Sequence, residues 1–276
     1  MTNALERCAA MNGSTKPKPS DVQTSGSAVP TVPVKDFFER QSQSYSAFFD
    51  ASNRKGAVVL FKLRCDLAIE LLSNEAPHTF LDLATGTGEI TRAIVASLKL
   101  DELQLNDISP GMLDACRRQF ADLPPTSKTE WTNEDAFELL DHAGKDRFDA
   151  VLCLGLIAHT GRLPELMGKI FASLRPGGTL ILQSSLTDHP GAWITASYAR
   201  SALRRTDYKV NAFSKDEIIS TAKAAGFQLV DMRRFGVCLP FGDRILGRIN
   251  YHIEEAFAKT LSNSGGDALF KLRKPL

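Results

Sequence analysis

Apolar positions along this chain change their period twice, and those changes divide it into parts. Residues 1–34 are rich in Ser, Thr, Pro, Gly and Lys and nearly devoid of aromatics. Such a segment cannot bury enough area to offset its ordering entropy and is expected to be a flexible tail. From Val34 onward Phe37, Phe38, Tyr45, Phe48 and Phe49 recur at roughly helical spacing, and Leu60, Leu63, Leu67 and Leu71 form a second stripe. Residues 35–76 therefore read as a helical N-terminal lid. After Pro77 short apolar runs alternate with amphipathic stretches. The runs at 80–83, 103–106, 129–132, 148–153 and 179–183 predict strands, and 88–98, 110–121, 135–142 and 162–174 predict helices.

That alternation predicts an α/β fold, a doubly wound and mostly parallel sheet with helices on both faces. The rhythm breaks after residue 213. A helix near 214–225 leads to a strand at 227–234, a helical run through Ile245, Ile249, Ile253 and Ala256, and a last strand at 269–273. Two successive strands separated by an excursion predict an antiparallel C-terminal pair closing one edge, which makes a seven-stranded sheet. Residues 77–276 are thus one expected core, with lid insertions at about 184–213 and 240–264.

Composition narrows the function classes. With 276 residues, 43% of them hydrophobic and 24% charged, the chain can bury a sizeable core. Lys+Arg 33 against Asp+Glu 32 leaves a net charge of +1, which argues against wrapping nucleic acid. Cys8, Cys65, Cys116, Cys153 and Cys238 are scattered, odd in number and free of any Cys-x-x-Cys. They read as free thiols of a reducing, cytoplasmic compartment. The five histidines show no ligand spacing, so no metal is expected. No apolar stretch approaches 18 residues and no basic-then-apolar leader opens the chain, so neither a membrane span nor a secretory signal is expected.

The candidate chemistry begins at Thr79-Phe80-Leu81-Asp82-Leu83-Ala84-Thr85-Gly86-Thr87-Gly88-Glu89-Ile90, a strand, a Gly-x-Gly turn and a helix start. Glycines let the backbone turn sharply and let a ligand lie against it, and in an open parallel sheet this turn sits where ligands bind. A dinucleotide would need a third small residue, where this chain has Thr91; S-adenosylmethionine, having no phosphate, needs only the first close approach. Asp107 ends the second strand, 19 residues beyond Gly88. Its carboxylate suits the two hydroxyls of an adenosine ribose, although Asp107-Ile108-Ser109-Pro110 also reads as a helix cap.

These segments, with three more, resemble the class I S-adenosylmethionine-dependent methyltransferases over about residues 77–234. Leu81–Gly88 is similar to the family's first motif, and Asn106-Asp107-Ile108-Ser109-Pro110-Gly111-Met112-Leu113 to its second-strand motif. Asn133-Glu134-Asp135-Ala136-Phe137 resembles the acidic turn after the third strand, the stretch from Phe148 through Cys153 to His159 the fourth-strand motif, and Leu174-Arg175-Pro176-Gly177-Gly178 the turn before the fifth. The resemblance implies a Rossmann-like methyltransferase fold with S-adenosyl-L-methionine as cofactor, S-adenosyl-L-homocysteine as product and no metal. It implies that Ala84, Gly86 and Gly88 lie against the methionine and ribose portions and that Asp82 faces the methionine ammonium. Asp107 would hold the ribose diol, and Ile108 with Met112 would lie at the adenine. Asp135 would accept the adenine amino proton, with an Ala136 or Phe137 N–H on a ring nitrogen. The backbone of Cys153 and Leu154 would lie near the ammonium, although a cysteine in an apolar strand also reads as a small core residue.

Two residues are candidates for the chemistry. His159 follows the fourth strand, where ubiquinone-type and related O-methyltransferases often carry a histidine, and would serve as general base; packing is the alternative. Tyr45 would sit near the sulfonium or pack the lid down. The lids add Trp193, Tyr198 and Tyr208 and the basic residues Arg200, Arg204, Arg205 and Lys209. A small-molecule acceptor that is planar or anionic is expected, with a carrier protein less favoured. Oxygen is the expected methyl acceptor, with nitrogen, sulfur and carbon open. A nicotinamide-dependent oxidoreductase and a non-catalytic cofactor-binding subunit are the alternatives of other classes.

Overall fold

Strands β1 (Thr79–Asp82), β2 (Glu102–Asn106), β3 (Lys128–Thr132), β4 (Phe148–Cys153), β5 (Leu174–Ser185), β6 (Gln228–Phe235) and β7 (Asp267–Arg273) join in one sheet, ordered β3-β2-β1-β4-β5-β7-β6. The computed structural model describes residues 31–50, 52–122, 128–189, 210–237, 242–257 and 264–276. The first five strands run parallel to one another, and β7 runs antiparallel between β5 and β6. The expected antiparallel pair is therefore present, but the last strand inserts one place inside the edge.

Helices α3 (Glu89–Ser97), α4 (Pro110–Phe120), α5 (Ala136–His142), α7 (Leu163–Ser173) and α8 (Lys215–Ala224) fall within a residue or so of the periodicity. Their starts are fixed locally. Ser109 caps α4 by accepting the Met112 N–H, Asp135 caps α5 through the Phe137 N–H, and Ser214 with Glu217 forms a capping box. Alternation along β5 divides the core. Leu180 and Leu182 face α5, α7 and α8, whereas Ile181 faces α3 and the long lid helix α2 (Gly56–Leu72). Because β2 and β4 leave β1 on opposite sides, the carboxyl ends of β1 and β4 open a crevice at the reversal of strand order.

The lid departs from the expected single aromatic helix. Helix α1 (Thr31–Gln41) starts three residues before the predicted order, and Tyr45–Phe48 forms a separate 3-10 turn. Between them the Ser42 and Ser44 hydroxyls donate to the Glu39 and Gln41 carbonyls, offering the backbone another way out of the helix. Of the predicted tail, residues 1–30 lie outside the described residues, as do Trp193, Tyr198, Tyr208 and the basic set of the first insertion. The second insertion supplies a one-turn helix α9 (Gly242–Ile245) and α10 (Arg248–Phe257), after the short α6 (Ile157–Thr160) earlier in the chain. Helix α2 has no side-chain cap of its own; Asp243 of α9 accepts the Gly56 N–H at 2.6 Å instead. No described helix is long and apolar enough to cross a membrane.

Candidate functional site

Above the crevice lies a cavity of about 340 Å³, within the size range of small-molecule sites. Its floor is the turn between β1 and α3. Gly86 sits there at φ +55°, a conformation costly for residues with a Cβ, and the Tyr45 ring lies 3.8 Å from where that Cβ would stand. The Gly86 N–H donates to Asp107 Oδ2 at 2.8 Å, and the Ser109 N–H donates to Oδ1 at 2.9 Å. Asp107 is thus held from both sides. It is Ser109, not Asp107, that caps α4, so the capping alternative falls and the carboxylate is left facing the cavity. Burial pushes its pKa up to about 6 against those two hydrogen bonds, and Glu39 of α1 adds to the rise.

Ala84, Gly86, Asp107, Ile108, Met112, Asp135, Ala136, Phe137, Leu154, His159 and Tyr45 all line this one cavity. The Phe137 N–H is already given to Asp135 Oδ1 at 2.8 Å. At that end Ala136, the first helical residue, is left with an N–H that has no intrahelical acceptor. Asp82 opens into an adjoining recess of about 50 Å³, shared with Tyr45, Gly86 and Arg64. It accepts the Thr91 hydroxyl and the Ala84 N–H, and burial pushes it up to about 6. Thr91, which breaks the dinucleotide pattern, therefore has a task here: it steadies Asp82.

Two expected residues line neither space. A Cβ on Gly88 would meet Cys116 Sγ at 2.3 Å, so this glycine serves the close packing of α3 on α4 rather than a ligand. Cys153 is fully buried in the core, and burial drives its thiol far from ionisation. The core reading of Cys153 is the one its side chain follows.

His159 stands edge-on to Phe38 at 5.0 Å, and burial pushes its imidazole down to about 4. It is neutral at physiological pH, but as a base it is far from a matched one. Burial raises the Tyr45 phenol, partly opposed by the Arg64 charge.

Arg64, Gln183 and Glu39 escape the sequence reading. Arg64 lines both spaces from α2, with its guanidinium 4.7 Å above the Phe61 ring and 4.0 Å from Asp267; its Nε is buried without a partner. The signal was a charge on the stripe of Leu60, Leu63 and Leu67. Glu39 Oε2 accepts the Ser109 hydroxyl at 2.6 Å and the Gly111 N–H at 2.9 Å, tying the lid to the N-terminus of α4. Loss of this latch should free the lid. Glu39→Ala is expected to speed hydrogen exchange over residues 31–41 by about 5–30-fold, as a loss of one or two kcal/mol implies. Exchange followed by mass spectrometry on the full chain checks it.

Residues 81–180 match the family model described as a methyltransferase domain. The demethylmenaquinone methyltransferase of Bacteroides fragilis is 25% identical over 190 residues, which is 62% of this chain and 77% of that protein. The O-methyltransferase cnsE of Penicillium expansum is 25% identical over 186 residues, 66% of this chain and 64% of its own length. The solved N-methyltransferase NodS of Bradyrhizobium japonicum, a complex with S-adenosyl-L-homocysteine, superposes with a TM-score of 0.58 at 15% identity, covering 88% of this chain and 100% of that one. At that identity the likeness shows the fold, and the match to a methyltransferase domain sets the nicotinamide reading aside.

Proposed function

This chain is a class I S-adenosylmethionine-dependent methyltransferase, and on that premise we propose that it methylates a hydroxyl of a small, planar acceptor. The observation that carries the cofactor half is Asp107. It is buried, fixed by two backbone donors and still faces a cavity, as a ribose-binding carboxylate must. The Ala136 N–H and the end of α5 would take the adenine, with Ile108 and Met112 on its faces. In the recess Asp82 and Arg64 present one negative and one positive group. That pair matches the ammonium and carboxylate of a methionine tail, and gives a use to a half-buried arginine whose Nε lacks a partner. Gly86 and the Leu154 backbone would lie along the same tail.

When bound, S-adenosylmethionine supplies an activated methyl group on a positively charged sulfonium. The protein's part is to align the acceptor and keep water out, which can be worth on the order of 7–11 kcal/mol. Tyr45, Phe38 and Val34 form the cover on the lid side, and Tyr45, packed beside Gly86, would flank the sulfonium. His159 would receive the acceptor's proton or hold its hydroxyl. With its imidazole at about 4, its help as a general base falls short of the roughly 10²–10⁴-fold of a matched one. Oxygen as acceptor has the support of the resemblance around His159 and of one relative named an O-methyltransferase.

Calorimetric titration of the full chain tests this reading. One-to-one binding of S-adenosylmethionine and S-adenosylhomocysteine is expected, and folded protein that binds neither refutes it.

A further inference from the structure

The far end of the cavity from Asp135 has a wall the cofactor does not need. Strand β5 pairs Leu182 with Cys153, the last residue of β4, and then runs on through Gln183, Ser184 and Ser185. Gln183 is thereby carried past the end of β4, over the Leu154–Gly155 loop, with its Oε1 3.9 Å from where a Cβ on Gly155 would stand. It is 3% exposed and lines the cavity, yet its carboxamide makes no hydrogen bond to any described residue. The carboxamide atoms open on the cavity rather than being sealed in protein, and with no partner among the described residues they are free to meet a ligand. Its neighbours do not compete: the Ser185 hydroxyl is given to Asp267 Oδ1, and Arg64 leans on Phe61 and Asp267. Around it Val34, Phe38, Leu156 and Val210 offer apolar surface to a flat body.

We infer that Gln183 is the acceptor-selecting residue of this enzyme, and that it selects an acidic hydroxyl, a phenol or enol, bound as its anion. This rests on the methyltransferase reading and deepens it. A carboxamide gives N–H donors to an oxygen but takes no proton. His159, the imidazole that lines the cavity among the described residues, is a weak base because burial holds it near 4. An aliphatic alcohol would therefore meet only this weak base, whereas a phenol or enol surrenders its proton to bulk water before it docks. A positive sulfonium close by favours the anion, as any opposite charge at short range does. The Gln183 amide N–H would then make a charge-assisted hydrogen bond to the reacting oxygen.

The test uses the full chain saturated with sinefungin, an unreactive cationic analogue of the cofactor, and 4-nitrophenol as the probe, because its phenolate absorbs in the visible. At mildly acidic pH, where the free probe is mostly neutral, binding should generate the phenolate band. Gln183→Leu should weaken probe binding by about 10–100-fold, the range of a hydrogen bond to a charged group, and Gln183→Glu should abolish the band. Calorimetry should find sinefungin affinity within about twofold of wild type in at least one of the two variants, which shows that it folds. A probe that binds as the neutral phenol, a probe that does not bind, or a Gln183→Leu protein that binds phenolate like wild type each overturns the inference. Loss of sinefungin binding by the wild-type chain would instead overturn the methyltransferase reading beneath it.

Discussion

Asp107→Ala is expected to weaken S-adenosylhomocysteine binding by about 10²–10⁴-fold while leaving the chain folded, as calorimetry and circular dichroism would show. The magnitude follows from two charge-assisted hydrogen bonds to a ribose diol, each worth about 1.5–3 kcal/mol. The same truncation strips the Gly86 and Ser109 N–H groups of their acceptor, so the glycine turn loses its tether to β2 as well. Asp107→Asn separates the two contributions. One carbonyl oxygen can keep one of the backbone donors, but the amide presents N–H to the other, and affinity should fall to an intermediate value. The pH profile gives an independent arm. With Asp107 pushed up to about 6 in the free protein, and the diol favouring the ionised form, affinity should drop up to tenfold per pH unit below 6. In Asp107→Ala only the share of that slope carried by Asp82, whose carboxyl is also pushed up to about 6, should remain.

The parts of this site that the sequence discloses are those whose geometry is local. The glycine turn, Asp107 at the end of β2 and Asp135 at the start of α5 are each fixed by a strand and the few residues after it, so their motifs predict where they stand. One such segment was ambiguous: Asp107 and Ser109 are both good caps, and only the Met112 N–H, given to Ser109, decides between them. The residues that escape prediction depend on elements far apart in the chain. Glu39 reaches Gly111 across 72 positions, and Arg64 reaches Asp267 from a helix whose apolar stripe gives no hint of a charge partner. Gln183 looks like strand interior until β4 is seen to stop one pair earlier. Gly88 fails for another reason. Its positive φ is what the motif demands, but the space a Cβ would need is filled by Cys116, so a packing requirement and a ligand requirement leave the same letter in the sequence.

The fold shows the same division. Alternating strands and helices announce a doubly wound sheet because each period reports burial on one face or two. The placement of β7 between β5 and β6 is set by long-range pairing, which periodicity does not carry. The lid is where local preference and tertiary demand conflict. Its aromatic spacing suggests one helix, but the Ser42 and Ser44 hydroxyls end α1, and the 3-10 turn then brings Tyr45 over Gly86.

Asp82→Asn should make the ligand-free protein more stable at neutral pH while lowering its affinity for the cofactor. Asp82 is 3% exposed, and burial lifts its carboxyl from 3.8 to about 6. A folded-state pKa above the unfolded one means the native state prefers the protonated form. That stabilisation is complete below about 3.8 and is lost as pH rises through 6. At pH 7 the ionised carboxylate therefore costs the fold about 1–3 kcal/mol, at 1.36 kcal/mol for each pKa unit. An asparagine removes the charge but keeps an oxygen for the Ala84 N–H, and its amide can donate to the Thr91 hydroxyl once that hydroxyl turns. Denaturant melts should show Asp82→Asn ahead of wild type by about 1–3 kcal/mol at pH 7, with the two converging as pH falls toward 4. In the presence of saturating S-adenosylmethionine that lead should shrink to near zero. The wild-type carboxylate then meets the methionine ammonium, and the variant, deprived of that charge, should bind about 10–100-fold more weakly. Equal stability at pH 7 would mean that the recess is wet enough to solvate the carboxylate. Undiminished affinity would move the ammonium away from Asp82 and leave the backbone at Leu154 to hold it.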